Sequence, residues 1–257
     1  MQKSSKVFTM TKPAVIPYSQ DNYAYVIHLD RTTLVVDPGE KSPIQKFLQE
    51  NSLELTHILI THPHPDHLGG AVALQKKWDC ALLGPACKQL PALDQSLLGN
   101  DELVIGPLSF QVLATPGHTA HDLCFYFPKE KWLFSGDTLF HAGCGKVFSG
   151  TYHQLYQSLA KIKKLPDETQ VFPGHAYVIP NLEFALSLEP KSQKLKQVLQ
   201  EAKDRKNPFP TTLGWEKEYN PFLSVEDKKW HKIFSTSDPL SVFTSMRKLK
   251  DQFKGAL

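Results

Sequence analysis

The chain has 257 residues, of which 41% are hydrophobic and 21% are charged, and its formal net charge is +3. This is the composition of a soluble globular protein with a full core, in one large domain or in a main domain with a smaller companion. The small positive charge does not indicate a nucleic-acid partner, but it suits a small anionic substrate.

The cysteine content and the apolar runs indicate the compartment. The four cysteines form no CxxC pair and are too sparse for a disulfide framework. No run of eighteen apolar residues is present, and Lys12, Pro13 and Pro17 interrupt the region where a signal peptide would need an apolar stretch. We therefore expect a cytoplasmic protein, active as a monomer, with no membrane partner.

Short apolar segments alternate with helical patterns over the first two-thirds of the chain. The predicted strands are rich in Val, Ile, Phe and Tyr and lie at 23–29, 33–37, 56–61, 109–115, 122–127, 131–137 and 169–174. The predicted helices lie at 43–51, 68–78 and 153–164. Strands interleaved with helices indicate an α/β layered architecture.

The pattern changes at about residue 177. Apolar positions at helical spacing occupy 181–206, a Pro-rich stretch covers 207–222, and two more helical patterns follow near 225–235 and 239–253. No convincing strand is present in this tail. We predict a catalytic domain over residues 1–176 and a helical, substrate-binding subdomain over residues 177–257, folded over the first.

The sequence THPHPDHLGG, at residues 61–70, carries four potential metal ligands within six residues. In an extended segment His62 and His64 point the same way and can grip one ion. A helix that begins near Leu68 would swing Asp66 and His67 towards a neighbouring position. Zinc, iron and manganese sites are built from such imidazole and carboxylate groups.

Three further ligand candidates, His118, Asp137 and His175, each follow a predicted strand and a glycine. Strand ends gather along one edge of an α/β sheet, so these distant residues are expected to converge there. Five other histidines are predicted to be unrelated surface residues: His28, His57, His141, His153 and His231.

The run THxHxDHxGG with three later ligands, each preceded by glycine, resembles the metallo-β-lactamase superfamily over about residues 8–176. The resemblance implies a four-layered αβ/βα sandwich with two divalent metal ions at one edge. Zinc is the expected metal, with iron or manganese as alternatives. The first ion would be bound by His62, His64 and His118, the second by Asp66, His67 and His175, and Asp137 would bridge the two.

Three further stretches resemble the glyoxalase II family within this superfamily: HAGCGKVFSGT at 141–151, a tyrosine two residues after the last metal-binding histidine, and MRKLKDQF at 246–253. The resemblance implies substrate contacts by Lys146, Phe148, Tyr177, Arg247 and Lys250. Arg247 and Lys250 are neighbours on one helix face, which suits a shared carboxylate. Basic residues near a helix C-terminus are also favoured by the helix dipole alone.

The implied reaction is hydrolysis of the glutathione thioester S-D-lactoylglutathione to D-lactate and glutathione, with Asp66 and Asp137 in catalytic roles. A water activated by the metals would attack the thioester carbonyl. The alternatives are a glutathione persulfide dioxygenase with one iron, a nuclease of the same superfamily, and a metal-storing or scaffold protein without catalysis.

The sequence departs from the family pattern at two positions. Where the family commonly has GHTxGH, this chain places His121 one residue early and has Asp122 in the usual position of the second histidine. Ala176 replaces the Glu often found between the final ligand and the tyrosine. The first departure puts any supporting role of the second histidine in doubt, and the second removes a charge near the second metal.

Overall fold

The computed structural model describes residues 12–205 and 211–254. The expected start of the superfamily resemblance, at residue 8, the last residue of the helical pattern at 181–206, and part of the Pro-rich stretch, at 207–210, lie outside the described residues. All candidate site residues lie within them.

The first sheet has six strands in chain order: β1 (Ala14–Tyr18), β2 (Asn22–Leu29), β3 (Thr32–Val36), β4 (His57–Leu59), β5 (Ala81–Pro85) and β6 (Gln95–Leu97). The first three strands pair antiparallel, and β3 to β6 pair parallel. Parallel neighbours need a crossover. Helix α1 (Lys41–Glu50) joins β3 to β4, and α2 (Pro65–Leu68) and α3 (Ala71–Trp78) join β4 to β5.

The second sheet also has six strands, in the spatial order β14 (Thr211–Thr212), β13 (Gln170–Pro173), β10 (Trp132–Gly136), β9 (Leu123–Phe127), β8 (Leu108–Ala114) and β7 (Glu102–Ile105). Its one parallel pair, β10 with β13, is connected through a short ribbon of β11 (Leu139–Phe140) and β12 (Gly143–Cys144) and then α4 (Tyr152–Ile162).

Alternation along the strands builds a four-layered sandwich. Leu34 and Val36 of β3 face the second sheet, where they meet a core rich in phenylalanine. Val35 points the opposite way, into a core shared with α1 and α3. The outer face of the second sheet packs against α4 and the helical tail through residues such as Leu133. The layers are helix, sheet, sheet and helix, which confirms the predicted fold.

The tail contains five helices among the described residues: α5 (Val178–Leu188), α6 (Gln193–Asp204), α7 (Leu213–Tyr219), α8 (Lys228–Phe234) and α9 (Pro239–Gln252). A 3₁₀ turn at Pro221–Leu223 separates α7 from α8. The predicted helical character is confirmed, but the expectation that no strand is present was wrong. Thr211 and Thr212 form β14, which pairs antiparallel with Val171 and Gln170 and extends the second sheet. Two residues are too short to show an alternating pattern.

The predicted helix at 68–78 is also wrong in detail, because α2 and α3 are separate and Gly69–Gly70 lies between them. The backbone of Gly70 packs so closely on Pro38 and Lys41 that a side chain there would collide with main-chain atoms. The break is what allows the chain to turn after the ligand-bearing segment. Besides β14, six strands were not predicted: β1, β5, β6, β7, β11 and β12. Strand β1 carries Pro17, which an edge strand tolerates.

Candidate metal centre

The ligand candidates converge at one edge of the sandwich. His62 follows β4 of the first sheet, while His118, Asp137 and His175 follow β8, β10 and β13 of the second. These three strands run in the same direction, since β9 is antiparallel to both of its neighbours and β13 is parallel to β10. Their carboxyl ends therefore meet at one edge, which confirms the predicted convergence.

Four side chains form the first ligand group, His62, His64, His118 and Asp137, whose ligand atoms all lie within 4.8 Å of one another. Nδ1 of His64 lies 3.1 Å from Nε2 of His62 and 2.9 Å from Nε2 of His118. Nε2 of His118 lies 3.4 Å from Oδ2 of Asp137. Ligands bound to one tetrahedral zinc at about 2.0–2.1 Å lie roughly 3.4 Å apart, so this group has the spacing of a metal site.

The second group consists of Asp66, His67 and His175, again with all ligand atoms within 4.8 Å. The two Nε2 atoms of His67 and His175 are 3.3 Å apart. Oδ2 of Asp66 lies 3.7 Å from the first and 3.5 Å from the second. A side chain at Gly174 would collide with Asp137 and with His67. Glycine before His175 is therefore required here by close approach.

Asp137 lies between the two groups. Its carboxylate faces His118 of the first group, and it lies 3.3 Å from Nε2 of His67 and 3.4 Å from Nε2 of His175 in the second. Its Oδ1 is buried and makes no hydrogen bond within the described parts of the chain, since the contact with His67 lacks hydrogen-bond geometry. A buried carboxylate oxygen without a partner is costly unless a cation satisfies it. The residues present thus fit two metal ions that share Asp137.

The protonation states also suit metal binding, which requires carboxylate anions and neutral imidazoles. Burial lowers the pKa values of His62, His64 and His118. Burial alone would raise the pKa of Asp137, but His67 and the other nearby histidines hold it well below its usual range.

His67 and His175 are the exceptions in this respect. Burial would lower the pKa of His67, but Asp137 and Asp37 outweigh that effect and raise it to about 9. The pKa of His175 is also raised, because Asp137 and Asp21 outweigh the effect of its burial. Binding of an ion to the second group must therefore displace a proton from His67.

Two aspartates that were not singled out from the sequence orient the histidines. Oδ2 of Asp37 lies 3.0 Å from Nδ1 of His67, and the same carboxylate accepts the N–H and hydroxyl of Thr61. Oδ1 of Asp21 lies 2.9 Å from Nδ1 of His175. Such partners fix the orientation of each ring, with Nε2 directed toward the second ligand group. The only sequence signal for Asp37 was its position at the end of a predicted strand.

Aromatic and basic side chains surround the ligand groups. The ring of Tyr177 stacks on His175, with ring centroids 4.8 Å apart and planes inclined by 5°. Phe148 is 62% exposed and places its ring edge-on to His64 and His118, at 5.3 and 5.2 Å. Nζ of the exposed Lys146 lies 5.5 Å from the Phe148 ring centroid. All three of these predicted substrate residues therefore lie beside the ligands.

Arg247 and Lys250 lie on α9, one helical turn apart. Arg247 is only 5% exposed: its Nη1 donates to the Cys144 carbonyl at 2.8 Å, and its Nε and Nη2 pair with Asp251. Nζ of Lys250 donates to the Pro180 carbonyl at 2.8 Å, and burial together with Arg247 lowers its pKa to about 8. Arg247 thus holds the loop that carries Lys146, whereas Lys250 has a single hydrogen-bond partner among the described residues.

The first departure from the family pattern, at His121 and Asp122, has a local explanation. Its buried carboxylate accepts the N–H of Thr119 at 2.7 Å and also the Thr119 hydroxyl. It thereby closes the turn that presents His118, while His121 is exposed. At the other departure, the Ala176 N–H donates to the Asp21 carbonyl at 2.8 Å.

The prediction that five histidines lie on the surface was wrong for two of them. His28 and His141 are 7% and 5% exposed. His28 contacts the Thr33 hydroxyl, and His141 donates to the carbonyl of Val171. Both are core histidines with partners, which a sequence pattern alone does not separate from surface histidines.

Two family models together cover nearly the whole described chain. The metallo-beta-lactamase superfamily model matches residues 20–175, and the model of the hydroxyacylglutathione hydrolase C-terminus matches residues 176–253. A hydroxyacylglutathione hydrolase of Legionella pneumophila is 39% identical over 254 residues, which cover 93% of this chain and 99% of that protein.

The chain belongs to the hydroxyacylglutathione hydrolase family.

Solved structures agree with this superfamily. ETHE1 from Myxococcus xanthus superposes with a TM-score of 0.68 at 27% identity and covers 93% of this chain and 91% of its own. The structure titled TTHA1623 in a di-iron-bound form has a TM-score of 0.61 at 26% identity, with 82% of this chain and all of that chain covered. Within the parts of the chain that the structure describes, no helix is long and apolar enough to cross a membrane.

Proposed function

We propose that this protein is the hydroxyacylglutathione hydrolase that its family membership implies, and that it converts S-D-lactoylglutathione and water to D-lactate and glutathione. The single observation that carries the proposal is the position of Asp137, buried between two complete ligand groups beside a basic and aromatic rim. The match of residues 176–253 to the C-terminal family model supports a glutathione thioester as the substrate.

We propose that His62, His64 and His118 hold one ion, that Asp66, His67 and His175 hold the other, and that Asp137 contacts both. Two ions held there would supply the Lewis acidity that activates a water and polarises the thioester carbonyl. Asp66 is exposed but takes a hydrogen bond from Asn22 at 3.0 Å, so one of its oxygens is fixed in place. The carboxylates of Asp66 and Asp137 thereby place negative charge at fixed positions beside the reacting centre.

The leaving thiolate needs no strong general acid, because a thiol pKa of about 8.5 makes it a good leaving group near neutral pH. The cysteines are not required as nucleophiles either. Burial raises the pKa of Cys144 to about 11, and its sulfur faces Arg247 in the interior. The chemistry therefore depends on the metal ligands alone, without a Cys–His pair.

Substrate recognition is assigned to Lys146, Phe148, Tyr177, Arg247 and Lys250. Lys146 and Lys250 supply positive charge for the carboxylates of the glutathione peptide. The exposed ring of Phe148 and the stacked ring of Tyr177 flank the ligand groups on opposite sides, next to His64 and next to His175. A thioester bound between them would lie beside both ligand groups.

The rival functions fit less well. A persulfide dioxygenase with one iron would leave the complete group of Asp66, His67 and His175 without a use. A nuclease would need a broad basic surface, and the net charge is only +3. A storage or scaffold protein would have no need of basic and aromatic side chains around the ligands.

The deciding experiment compares two assays on the purified, metal-loaded protein. Hydrolysis of S-D-lactoylglutathione, followed as loss of the thioester and appearance of thiol, should give kcat/KM of about 10⁴ M⁻¹s⁻¹ or more, the range of ordinary enzymes. Oxygen uptake with glutathione persulfide should stay at background. Oxygen uptake without thioester hydrolysis would show that the protein is a dioxygenase and not a hydrolase.

Four finer points remain proposals. We propose zinc as the resident metal, and the di-iron title of one solved relative supports iron as the alternative. Metal analysis of the isolated protein tests this choice. We also propose a monomer, which light scattering tests, and a cytoplasmic location, which fits four free cysteines. Finally, we propose that residues 1–176 form the catalytic domain, which also carries Lys146 and Phe148, and that residues 177–257 form a helical, substrate-binding subdomain.

A further inference from the structure

Residues 139–148, here called the recognition loop, carry Lys146 and Phe148 and contain one backbone anomaly. Ala142 adopts a left-handed conformation with φ of 56°, although its Cβ is fully buried. This conformation costs free energy for a residue with a Cβ and persists only when the surroundings enforce it. The contacts around the recognition loop must therefore enforce this conformation.

On one side, the recognition loop contacts a metal ligand directly. The carbonyl of Lys146 lies 2.7 Å from Nδ1 of His118, and the N–H of Phe148 donates to the His118 carbonyl at 2.9 Å. The position of this loop thus determines both the orientation of His118 and the placement of the Lys146 and Phe148 side chains.

On the other side, two buried polar residues of the tail hold the loop. Oε2 of Glu216 accepts the Ala142 N–H at 2.8 Å. Nδ2 of Asn220 donates to the Gly143 carbonyl at 2.9 Å, and it also lies 3.1 Å from Oε2 of Glu216. Glu216 and Asn220 are four residues apart at the end of α7, and they are 0% and 1% exposed. A neighbouring helix adds one more bond, from Asn181 to the His141 carbonyl at 3.0 Å.

Burial of these two polar side chains costs free energy that an apolar core would not. Burial raises the pKa of Glu216 to about 8, although the Ala142 N–H and Asn220 oppose that shift, so the group is mainly neutral at pH 7. An apolar residue would avoid the cost of burying a carboxyl, but it would leave the Ala142 N–H without a partner. Glu216 and Asn220 form their hydrogen bonds with the recognition loop at the strained Ala142 and at its neighbour Gly143.

We infer that Glu216 and Asn220 are positioning residues of the reaction, which fix the recognition loop so that Lys146 and Phe148 meet the substrate. The inference rests on the proposed function. It assigns α7, a helix that contributes no metal ligand and no predicted substrate contact, to substrate recognition through the loop.

The test is a double-mutant cycle on the metal-loaded enzyme with S-D-lactoylglutathione. Glu216→Ala should raise KM about 10-fold or more and should lower kcat less, within the range that supporting residues typically show. In a Lys146→Ala background the same change should raise KM by a clearly smaller factor, because one of the two side chains that it displaces is already gone. Glu216→Gln keeps a neutral group with a carbonyl acceptor, and it should stay within about 3-fold of wild type.

Three further variants keep the cycle interpretable. Glu218→Gln lies on the same helix but is exposed and pairs with Lys194, so it should change nothing. Leu48→Ala removes a buried side chain of α1 and should lower stability alike in both backgrounds. Should Glu216→Ala fail to fold, Asn220→Ser takes its place in the cycle. A serine hydroxyl can still cap the 3₁₀ turn, where Asn220 accepts the Phe222 N–H, but it is too short to hold Gly143.

An equal loss in both backgrounds, or a Glu216→Gln variant as poor as Glu216→Ala, would show a purely structural role and overturn the inference. An unchanged KM in Glu216→Ala and Asn220→Ser would do the same. Failure of the proposed function would look different, since the wild-type enzyme would then not hydrolyse the thioester in any background.

Discussion

At the scale of single residues, the centre depends on groups that act in pairs. Asp137 contacts histidines of both ligand groups, and each of the two histidines in the second group has its own aspartate partner. The candidate ligands could be named from the sequence because the run at 61–70 is dense. Their partners Asp21 and Asp37 could not be, because single aspartates near strand ends are common in any α/β protein.

Asp137→Ala is expected to lose most of the bound metal and to lower kcat by more than the roughly 10- to 100-fold that loss of a supporting residue costs. The reason is that a neutral methyl group replaces the one carboxylate between the two groups. Metal analysis and thioester turnover measure both effects. The exposed Asp167→Ala serves as the control, and a variant that retains two ions and near-normal turnover would refute the bridging role.

Asp21→Ala is expected to weaken metal binding about 10- to 100-fold while the fold is retained, because the carboxylate orients His175 without being a ligand. Competition with a chromophoric chelator gives the affinity, and Asp30→Ala is the matched surface control. Affinity equal to wild type would mean that the stacked ring of Tyr177 suffices to orient His175.

At the scale of elements, α9 has two roles that the sequence did not separate. Val242, Phe243 and Met246 are fully buried in the core of the second sheet and the tail, so removal of the helix would unfold much more than a substrate contact. Arg247 likewise holds the carbonyl of Cys144. Point changes at Lys250 are the sharper probe of recognition.

Lys250→Ala should lower kcat/KM about 10- to 100-fold for the free-acid thioester, the cost of one charge-assisted hydrogen bond. The loss should be much smaller for a thioester whose glycine carboxylate is esterified, because the charge to be recognised is then already absent. Lys248→Ala, exposed on the same helix, is the control. Equal losses of kcat/KM on the free acid and on the ester would show that Lys250 does not bind the glycine carboxylate.

Glu216→Gln should change how stability depends on pH. The folded-state pKa of Glu216 is about 8 against a reference of 4.5, so the unfolded chain releases this proton earlier. Wild-type stability therefore falls as pH rises from about 4.5 to 8, by up to roughly 1.4 kcal/mol per pH unit from this group, and levels off above.

The glutamine variant lacks this loss, so its advantage in denaturant midpoint over wild type should grow between pH 5 and 8. Asp122, whose burial raises its pKa to about 7, titrates in both proteins and cancels in the difference. A difference that stays flat over that window would show that Glu216 is ionised in the folded protein.

At the scale of the whole molecule, the site lies at one edge of the sandwich, outside its two main apolar cores. The core between the sheets and the core under α1 contain no proposed metal ligand. We expect chelation to abolish thioesterase activity while far-ultraviolet circular dichroism is retained. The melting temperature should fall, because ions that bind only the folded state add about 2.7 kcal/mol at 100 times their Kd. Unfolding on chelation would instead make the metals structural.

The sequence by itself determined the elements whose patterns are local. The composition of strands such as β3, which is rich in β-branched residues, and the dense ligand run at 61–70 are visible in the sequence. The convergence of His118, Asp137 and His175 follows from their strand-end positions and the geometry of sheet edges. Together with the resemblance to a known family, these features predicted the layered fold and which residues would meet.

Tertiary structure alone decided what depends on distant contacts. Helix α7 and the two-residue strand β14 lie in a Pro-rich stretch with no usable periodicity, and pairing with β13 and packing in the tail define them. The burial of Glu216, the left-handed Ala142 and the pairing of Arg247 with Cys144 arise because the tail folds onto the recognition loop about 70 to 100 residues away. A single chain carries no local signal for such contacts, since their free energy exists only once both segments are in place.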